Sequence, residues 1–310
     1  MTTVLVTGGA GYVGSILVPA LLERGFRVIV LDNLMYNTGA ALFGCFYSQH
    51  LEVQEGDIRN ERIVTSLLKQ AGAVIHLAAI VGYPACRKDE KLAHDVNVEG
   101  TRNLVKHLAP SQPLLFASTG SNYGAVTDVC TEETPLGPLS AYGKTKTEAE
   151  RIVLQHPRSI VYRFATAFGI SPRLRLDLMI NDFVYQALYT RNLIVYEKDF
   201  RRTFIHVRDM ADGFVFALQH ADRMAGETYN VGSEAMNLTK EDVARKLREK
   251  LEFYLHFADV AKDEDQRNYE VSYKKIRSLG FETKVSLDEG LDELIRGLRF
   301  IRLKNPMSNV

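Results

Sequence analysis

A tyrosine and a lysine four residues apart have the types and spacing needed for proton and hydride chemistry. Tyr142 and Lys146 lie in an amphipathic segment that predicts a helix, Ser140–His156, so their side chains share one helix face. A free tyrosine titrates near about 10 and is a weak base at pH 7, but a neighbouring ammonium favours its phenolate. The pair could then take a proton from a hydroxyl while hydride leaves the same carbon. A solvated helix face is the alternative interpretation, because this spacing is common by chance.

A group of short hydroxyl side chains follows the apolar run Leu114–Ala117. Ser118, Thr119 and Ser121 would lie where this predicted strand ends, and open α/β sheets bind ligands at that edge. We therefore expect Thr119 to hydrogen-bond and orient the reacting hydroxyl. Tyr123, in the same segment, is predicted to pack in the core.

Three glycines, Gly8, Gly11 and Gly14, separate the apolar run Thr3–Thr7 from a helical pattern over Tyr12–Arg24. Glycines at such a turn let the backbone approach a pyrophosphate, whose charge is stabilised by the helix N-terminus. The motif predicts a dinucleotide site to which Tyr12 and Val13 also contribute. A purely structural turn would make the same demand on the backbone.

An aspartate, Asp32, ends the second apolar run about 18 residues after Gly14. A carboxylate there accepts hydrogen bonds from the adenosine ribose and repels a 2′-phosphate, so it predicts NAD rather than NADP. The alternative role is a strand-end cap. His76 is predicted to be a satisfied core histidine. Further cofactor contacts are expected along the same sheet edge from Asn33, Asp57, Ile58, Leu77, Ala78 and Ala79.

The elements that must position these residues follow an alternation of apolar runs and amphipathic stretches, which indicates βαβ units. The runs are apolar on both parities, as in strands covered on both faces. We expect an α/β fold with a Rossmann-type, doubly wound parallel sheet in an NAD-binding domain, residues 1–165. Residues 166–310 are expected to form mainly a smaller mixed lobe that binds substrate, with some segments returning to the first domain. The predicted strands are Thr3–Thr7, Arg27–Leu31, Leu51–Gln54, Ala73–Leu77, Leu114–Ala117 and Ser159–Phe164; the predicted helices are Tyr12–Arg24, Glu61–Gln70, Lys91–Leu108, Ser140–His156 and, later, 171–192, 208–221, 239–250 and 287–299.

Composition excludes several classes of partner. The 310 residues contain 38 Lys and Arg and 38 Asp and Glu, so no basic excess favours nucleic acid or a membrane surface. No apolar run approaches the roughly 20 residues that span a bilayer, and the N-terminus does not resemble a signal peptide. Three widely spaced cysteines fit neither zinc spacing nor a disulfide framework, which predicts a cytoplasmic protein without a metal.

Together these residues resemble the extended short-chain dehydrogenase/reductase family, the sugar-nucleotide epimerases and dehydratases, over almost the whole chain. The resemblance also includes Asn97 within Asn97–Thr101 and the segment Arg202–Asp209. It implies a catalytic triad of Thr119, Tyr142 and Lys146. It further implies cofactor contacts at Tyr142, Lys146, Asn97, Arg163 and Ala165, and substrate contacts at Ser118, Thr119, Ser121, Arg173, Asn181, Tyr196, Arg202 and Arg267.

Departures from the family pattern narrow the reaction. The 4,6-dehydratases carry an Asp-Glu pair directly after the catalytic threonine, whereas this chain has Gly120 and Ser121. Dehydration, decarboxylation and 3,5-epimerisation are therefore disfavoured, which leaves redox at C4 of a nucleotide-activated sugar. The same triad serves a 4-dehydrogenase, which releases the keto sugar, and a C4-epimerase, which reduces it again, so this choice stays open.

A finer resemblance is to GDP-heptose 4-dehydrogenases of bacterial surface-polysaccharide pathways, carried by Phe168–Asp177 and Phe200–Arg202. It implies a GDP-sugar as substrate. A nucleotide-4-keto-sugar reductase is the alternative enzyme, and a non-catalytic NAD-binding scaffold or sensor is the alternative of another class.

The resemblance also implies a homodimer, because family members dimerise through two helices of each subunit. The candidate helices here are Lys91–Leu108 and Ser140–His156. Packing of these helices on their own sheet is the other interpretation.

Overall fold

A seven-stranded parallel sheet forms the centre of the molecule within the residues that the computed structural model describes, 1–36, 38–126, 128–258 and 268–301. Its strands are β1 (Thr3–Thr7), β2 (Arg27–Asp32), β3 (Leu51–Glu55), β4 (Ala73–His76), β5 (Leu114–Thr119), β6 (Ser159–Phe164) and β10 (Glu227–Val231). The strand order is β10-β6-β5-β4-β1-β2-β3. The order reverses beside β1, where chain crossovers leave a crevice at the carboxyl edge.

Helices cover both faces of this sheet, which is why its central strands are apolar on both parities. The predicted α/β, doubly wound class is confirmed. The helices that flank the sheet or connect its strands are α1 (Gly14–Glu23), α2 (Glu61–Leu68), α3 (Tyr83–Lys88), α4 (Glu90–His94), α5 (Gly100–His107), α6 (Ala141–Val153), α8 (Val207–Gln219), α9 (Ala221–Met224) and α11 (Lys274–Ser278).

A smaller lobe holds the remaining strands and helices of the described residues. Its elements are β7 (Thr166–Phe168), α7 (Met179–Tyr189), β8 (Asn192–Tyr196), β9 (Arg201–His206), β11 (Asn237–Thr239), α10 (Lys240–Lys250), β12 (Tyr254–Ala258) and α12 (Leu287–Phe300). The 3₁₀ segments Thr38–Cys45 and Gly120–Asn122 belong to the first lobe, and a third covers Glu234–Met236. Strands β11, β9 and β7 form a mixed sheet, and β12 and β8 form a parallel pair. A separate apolar cluster around Phe168, Leu193 and Leu294 forms the core of this lobe.

Two predicted helices differ from the structure. The single helix predicted over Lys91–Leu108 is divided into α4 and α5 by a π-helical turn, Asp95–Glu99. The helix predicted over 171–192 begins only at Met179, since Pro172 and an ion pair between Arg175 and Asp177 hold the preceding segment in an irregular loop.

Segments from the second half of the chain return to the first lobe and pack into it. Strand β10 was not predicted, and it pairs in parallel with β6, so residues from the second half of the chain complete the main sheet. Helix α8 packs against α1. Among the helices of the described residues, none has the length and apolar character needed to cross a membrane.

Candidate active site

One cavity of about 810 Å³ lies between the carboxyl edge of the main sheet and the smaller lobe. Its walls come from the ends of β1, β2, β4, β5 and β6 on one side and from α7, β8 and β9 on the other. The predicted site residues that line it are Gly8, Gly11, Tyr12, Val13, Gly14, Asp32, Asn33, Asp57, Ile58, Leu77, Ala78, Ala79, Ser118, Thr119, Ser121, Tyr142, Lys146, Ala165, Arg173, Tyr196 and Arg202.

The turn between β1 and α1 has the shape of a phosphate cradle. Gly8 has φ +72°, and a Cβ there would fall 2.7 Å from the amide nitrogen of Ala78. A Cβ on Gly14 would fall 2.5 Å from the carbonyl oxygen of Gly9. No side chain caps the first turn of α1, so the positive end of the helix dipole stays available to an anion. The backbone therefore fits the diphosphate of a dinucleotide.

Asp32 is held firmly at the end of β2. Its Oδ2 accepts a hydrogen bond from the amide of Ala10 at 3.0 Å, and its Oδ1 accepts one from the amide of Leu34 at 2.9 Å. Burial raises the pKa of Asp32, while these two amides act in the opposite direction. Each oxygen keeps a second lone pair, as a ribose diol requires.

Asp57 lines the same end of the cavity and forms an ion pair with Arg59, with 2.7 Å between Oδ2 and Nη2. The hydrogen bond from Arg59 lowers the pKa of Asp57. The carboxylate is thus negative over the ordinary pH range.

Thr119, Ser121 and Tyr142 line the middle of the cavity. Thr119 Oγ1 donates to Ser121 Oγ at 3.1 Å and accepts from the Ser121 amide at 3.1 Å. Tyr142 lies in the first turn of α6, whose N-terminus is capped by the Ser140 hydroxyl accepting from the Gly143 amide at 3.0 Å. The end of β5 and the start of α6 therefore present their hydroxyl groups to one space.

Lys146 follows one turn later on α6 and is almost fully buried. Its Nζ lies 3.9 Å from the centre of the Phe116 ring. Burial lowers the pKa of Lys146 to about 7, although the Glu150 carboxylate favours the charged form. The side chain of Lys146 therefore titrates near neutral pH.

Glu150, which sequence reasoning missed, joins three elements behind the catalytic candidates. Its Oε2 accepts from Ser118 Oγ at 2.5 Å and from Asn122 Nδ2 at 2.9 Å. Its Oε1 accepts from Arg163 Nη2 at 2.6 Å. The only signal in the sequence was its position four residues after Lys146, on the same helix face.

Arg163, predicted as a cofactor contact, lies behind the cavity and is held there by Glu150. Burial opposes the charge of Arg163, but Glu150 outweighs that effect and raises the pKa of the guanidinium. Arg163 also donates to Tyr123 Oη at 3.1 Å and does not line the cavity. It holds the scaffold behind the cavity, and Tyr123 is buried in the core, as predicted.

Asn97 and Asn181, predicted as cofactor and substrate contacts, also lie behind the cavity wall rather than on it. Asn97 lies in the π-helical turn, accepts from the Ile80 amide at 2.7 Å and donates to the Ile80 carbonyl at 2.9 Å. Asn181 accepts from the Gly169 amide at 2.9 Å. Tyr12 donates to the carbonyl of the same Gly169 at 2.7 Å. Asn97 thus holds Ile80, and Asn181 holds the segment that contacts Tyr12, and both Ile80 and Tyr12 line the cavity.

His76 is a core residue, as predicted. Its Nδ1 lies 2.7 Å from Thr7 Oγ1 and its Nε2 lies 2.9 Å from Thr101 Oγ1. Because Thr101 Oγ1 donates to the carbonyl of Asn97 at 2.6 Å, the proton of the imidazole belongs on Nε2. Burial lowers the pKa of His76 to about 3, so the ring is neutral.

Cationic side chains concentrate at the second-lobe end of the cavity. Arg202, Arg173 and Lys240 line it, and each is less than a tenth exposed. The guanidinium of Arg173 lies 4.6 Å from the centre of the Tyr36 ring. Arg267 lies outside the described residues.

Sequence reasoning missed several polar residues that line this end: Arg175, Asp177, Asp182, Gln186 and Lys240. Arg175 and Asp177 form a buried ion pair, in which Nε lies 3.1 Å from Oδ1. Lys240 Nζ donates to the Tyr196 carbonyl at 3.1 Å. Their clustering depends on loops that fold back on one another, which no local pattern reveals.

Within the described part of the chain, no group of three or more histidine, cysteine or acidic residues is placed to hold a metal ion.

Comparison with known proteins relates this arrangement to a described family. Residues 4–232 match the family model described as the NAD dependent epimerase/dehydratase family. UDP-glucose 4-epimerase 1 from Oryza sativa subsp. japonica is 30% identical over 99% of this chain and 96% of that protein. The low-salt glycan biosynthesis protein Agl12 of Haloferax volcanii is 30% identical over 94% of this chain and 97% of that protein.

A solved structure shares the fold. UDP-glucuronic acid 4-epimerase from Bacillus cereus, in complex with UDP-glucuronic acid and NAD, superposes with a TM-score of 0.86. The two chains are 24% identical, and the match covers 96% of this chain and 99% of the epimerase.

Proposed function

This chain belongs to the NAD-dependent epimerase/dehydratase family, and we propose that it oxidises C4 of a nucleotide-activated sugar. It is an NAD-dependent enzyme. The observation that carries the proposal is the convergence of Thr119, Tyr142 and Lys146 on the cavity that also contains the glycine turn and Asp32. Separate segments of the chain supply the proton-transfer groups and the dinucleotide cradle, and they meet in one space.

NAD, when bound, supplies the acceptor for the hydride that leaves C4. The turn at Gly8 and Gly14 receives the diphosphate, and Asp32 receives the adenosine ribose hydroxyls and repels a 2′-phosphate. Asn33, Asp57, Ile58, Leu77, Ala78 and Ala79 complete this half of the cavity.

Proton transfer at C4 is the task of Tyr142. Its phenolate accepts the proton of the C4 hydroxyl, and the Lys146 ammonium on the same helix face stabilises the phenolate. Thr119 hydrogen-bonds the hydroxyl and orients it toward Tyr142. Glu150 favours the charged form of Lys146, although burial opposes it.

The two positions that follow Thr119 are Gly120 and Ser121, and neither side chain is an acid that could serve elimination. A Cβ on Gly120 would fall 3.2 Å from Tyr269 Oη and 3.4 Å from the Phe164 carbonyl oxygen, so the backbone there leaves little room for an aspartate. This supports simple redox at C4, by a 4-dehydrogenase or by a C4-epimerase acting through a 4-keto sugar.

The substrate proposed is a GDP-sugar, of the kind used by GDP-heptose 4-dehydrogenases in surface-polysaccharide biosynthesis. Arg202, Arg173 and Tyr196 line the end that would receive the nucleotide, and arginine forks suit a diphosphate. Arg267 is proposed as a further diphosphate ligand. The name of the haloarchaeal relative, a glycan biosynthesis protein, supports such a pathway.

We also propose a cytoplasmic homodimer formed through the helices of Lys91–Leu108 and Ser140–His156. The inward faces of these helices, including Leu104 and Ala149, pack on their own sheet, so a partner would meet the outer, charged face. Sedimentation at low and high salt tests this: a dimer that dissociates as salt rises is expected, whereas a monomer at every salt concentration would contradict it.

Incubation with GDP-, UDP-, dTDP- and CDP-sugars tests the proposed reaction. The expected result is NADH absorbance with at least one of them, and product stereochemistry then separates a dehydrogenase from an epimerase. A preference for NADPH and 4-keto substrates would favour the reductase. Binding of NAD without turnover of any sugar would favour the scaffold or sensor.

Tyr142→Phe is expected to lower kcat by about 10²- to 10⁴-fold, because the proton acceptor is lost while the ring remains. NAD affinity and sugar-nucleotide affinity are expected to change far less than kcat, because the rest of the cavity is intact. Tyr47→Phe, at an almost fully exposed tyrosine, is the matched control. Full turnover by Tyr142→Phe would remove the catalytic role assigned to this residue.

A further inference from the structure

Two polar side chains on α7, Asp182 and Gln186, line the second-lobe end of the cavity and take no part in the proton transfer described above. They lie one helical turn apart, and Gln186 Nε2 donates to Asp182 Oδ2 at 2.7 Å. The other carboxylate oxygen, Oδ1, is buried and has no hydrogen-bond partner among the described residues. Burial raises the pKa of Asp182 to about 6. A buried carboxylate oxygen with unused acceptor capacity is costly, and a rotation of the side chain that brought Oδ1 to a donor in the cavity would remove that cost.

The surroundings of this pair suit a flat ring. Phe183 on α7 and Ile194 and Tyr196 on β8 also line the cavity, and α7 packs against β8. Ile194 and Tyr196 are 43% and 39% exposed, so part of the apolar surface of these lining residues remains uncovered. Such surface is stabilised when an aromatic ring covers it.

Cations lie beside this apolar surface. Lys240 is held to β8 by its hydrogen bond to the Tyr196 carbonyl, and Arg202 lines the same cavity. A nucleoside diphosphate places its negative charges one ribose away from its base. The second lobe thus supplies a carboxylate-amide pair, an apolar surface and cations to one cavity, the three kinds of group that a base, a ribose and a diphosphate require.

We propose that Asp182 and Gln186 recognise the nucleobase of the substrate and that this base is guanine; the inference rests on the nucleotide-sugar substrate proposed above. The Watson–Crick edge of guanine presents two adjacent donors, N1–H and the N2 amino group. A carboxylate is an acceptor with two oxygens and matches that pair. Gln186 restrains the carboxylate by its hydrogen bond to Oδ2. The Cβ–Cγ torsion of aspartate is broad, so a small rotation turns the second oxygen toward the base.

The other bases match a carboxylate less well. Uracil and thymine present one N–H between two carbonyl oxygens, and those oxygens would face negative charge. Cytosine and adenine each present an amino group beside a ring nitrogen that only accepts. Guanine is therefore the base for which the carboxylate gains two hydrogen bonds without repulsion.

Calorimetric titration of the NAD-loaded protein with GDP, IDP, UDP and CDP tests this inference. IDP carries hypoxanthine, which has the N1–H and O6 of guanine but lacks the 2-amino group. The wild-type protein is expected to bind GDP about 5- to 100-fold more tightly than UDP or CDP, and more tightly than IDP. Asp182→Asn is expected to weaken GDP binding by a similar factor, to leave UDP binding within about threefold, and to abolish the difference between GDP and IDP.

Asp199→Asn is the matched control, because it removes one carboxylate on an exposed residue that does not line the cavity. Gln186→Leu removes the hydrogen bond to Asp182 and is expected to reduce the preference for GDP less than Asp182→Asn does. Thermal melting shows whether each variant is folded.

Three outcomes would overturn the inference. The first is that the wild type binds UDP as tightly as GDP, and the second is an equal loss of GDP and UDP affinity in Asp182→Asn, which would assign Asp182 to the ribose. The third is an unchanged preference for GDP in a folded Asp182→Asn. Turnover of a UDP-sugar with NADH formation would in that case still support the proposed oxidation at C4. Conversely, selective GDP binding through Asp182 without turnover of any sugar would contradict only the proposed reaction.

Discussion

At the scale of single residues, the proposed chemistry depends on a lysine whose charged form is disfavoured by burial. Lys146 is almost fully buried against Phe116, and burial lowers its pKa to about 7. Its counter-charge, Glu150, is also engaged by Arg163, Ser118 and Asn122. The protein thus keeps an ammonium beside Tyr142 that folding alone would not favour, as expected for a group selected for function.

This burial makes stability depend on pH. An unfolded chain binds a proton at Lys146 up to about pH 10, and the folded protein binds it only up to about pH 7. Between these values the unfolded state holds more protons, so the free energy of unfolding rises with pH across this window. Lys146→Met is expected to remove that rise and to make the NAD-free protein more stable at pH 7, by roughly 4 kcal/mol at most.

Urea denaturation of the NAD-free protein at pH 7, 8, 9 and 10 measures the effect. Lys144→Met, at an exposed lysine on the same helix, is the control and is expected to follow the wild type. Equal pH dependence in the wild type and Lys146→Met would show that the lysine is solvated in the folded protein.

At the scale of elements, the turn between β1 and α1 combines two separate demands on glycine. Gly8 requires a positive φ, and it also requires that no Cβ stand 2.7 Å from the Ala78 amide nitrogen. Gly25, after α1, has φ +80°, but a Cβ added there would meet no atom within 4 Å. Substitution at Gly25 therefore tests the cost of the positive φ alone, whereas substitution at Gly8 adds the cost of the close contact with Ala78.

Gly25→Ala is expected to cost about 1 kcal/mol of stability through φ alone and to leave NAD affinity unchanged. Gly8→Ala is expected to cost more, because the turn must also move away from Ala78, and to weaken NAD binding by at least about tenfold. Thermal melting and NAD titration of both variants measure these effects. NAD affinity retained by Gly8→Ala would contradict the role proposed for the turn.

At the scale of the whole molecule, the two halves of the chain are interlocked. Strand β10 completes the main sheet beside β6, and Phe214 on α8 packs against Tyr162 and Phe164, with ring centres 5.6 and 5.3 Å apart. The cavity needs both lobes, since its proton-transfer groups and its cations come from opposite walls.

A fragment of residues 1–165, the NAD-binding domain expected from the sequence, tests how far the halves depend on one another. The fragment is expected to aggregate or to remain partly unfolded, because the edge of β6 and the aromatic surface of Tyr162 and Phe164 would be uncovered. Circular dichroism and size-exclusion chromatography against the full chain measure this. A monomeric, cooperatively melting fragment that binds NAD would show that the first half folds independently.

Local patterns in the sequence were enough to predict the parallel sheet, the glycine turn, Asp32 and the alignment of Tyr142 with Lys146, because each depends on residues close together in the chain. Whether a polar side chain faces the cavity or braces the wall behind it depends on partners far away in the chain. Asn181 meets Gly169 and Tyr12, and Asn97 meets Ile80. The tertiary structure therefore assigned these asparagines to the scaffold and brought Asp182 and Lys240 to the cavity, since burial and hydrogen-bond partners are set by how distant segments pack.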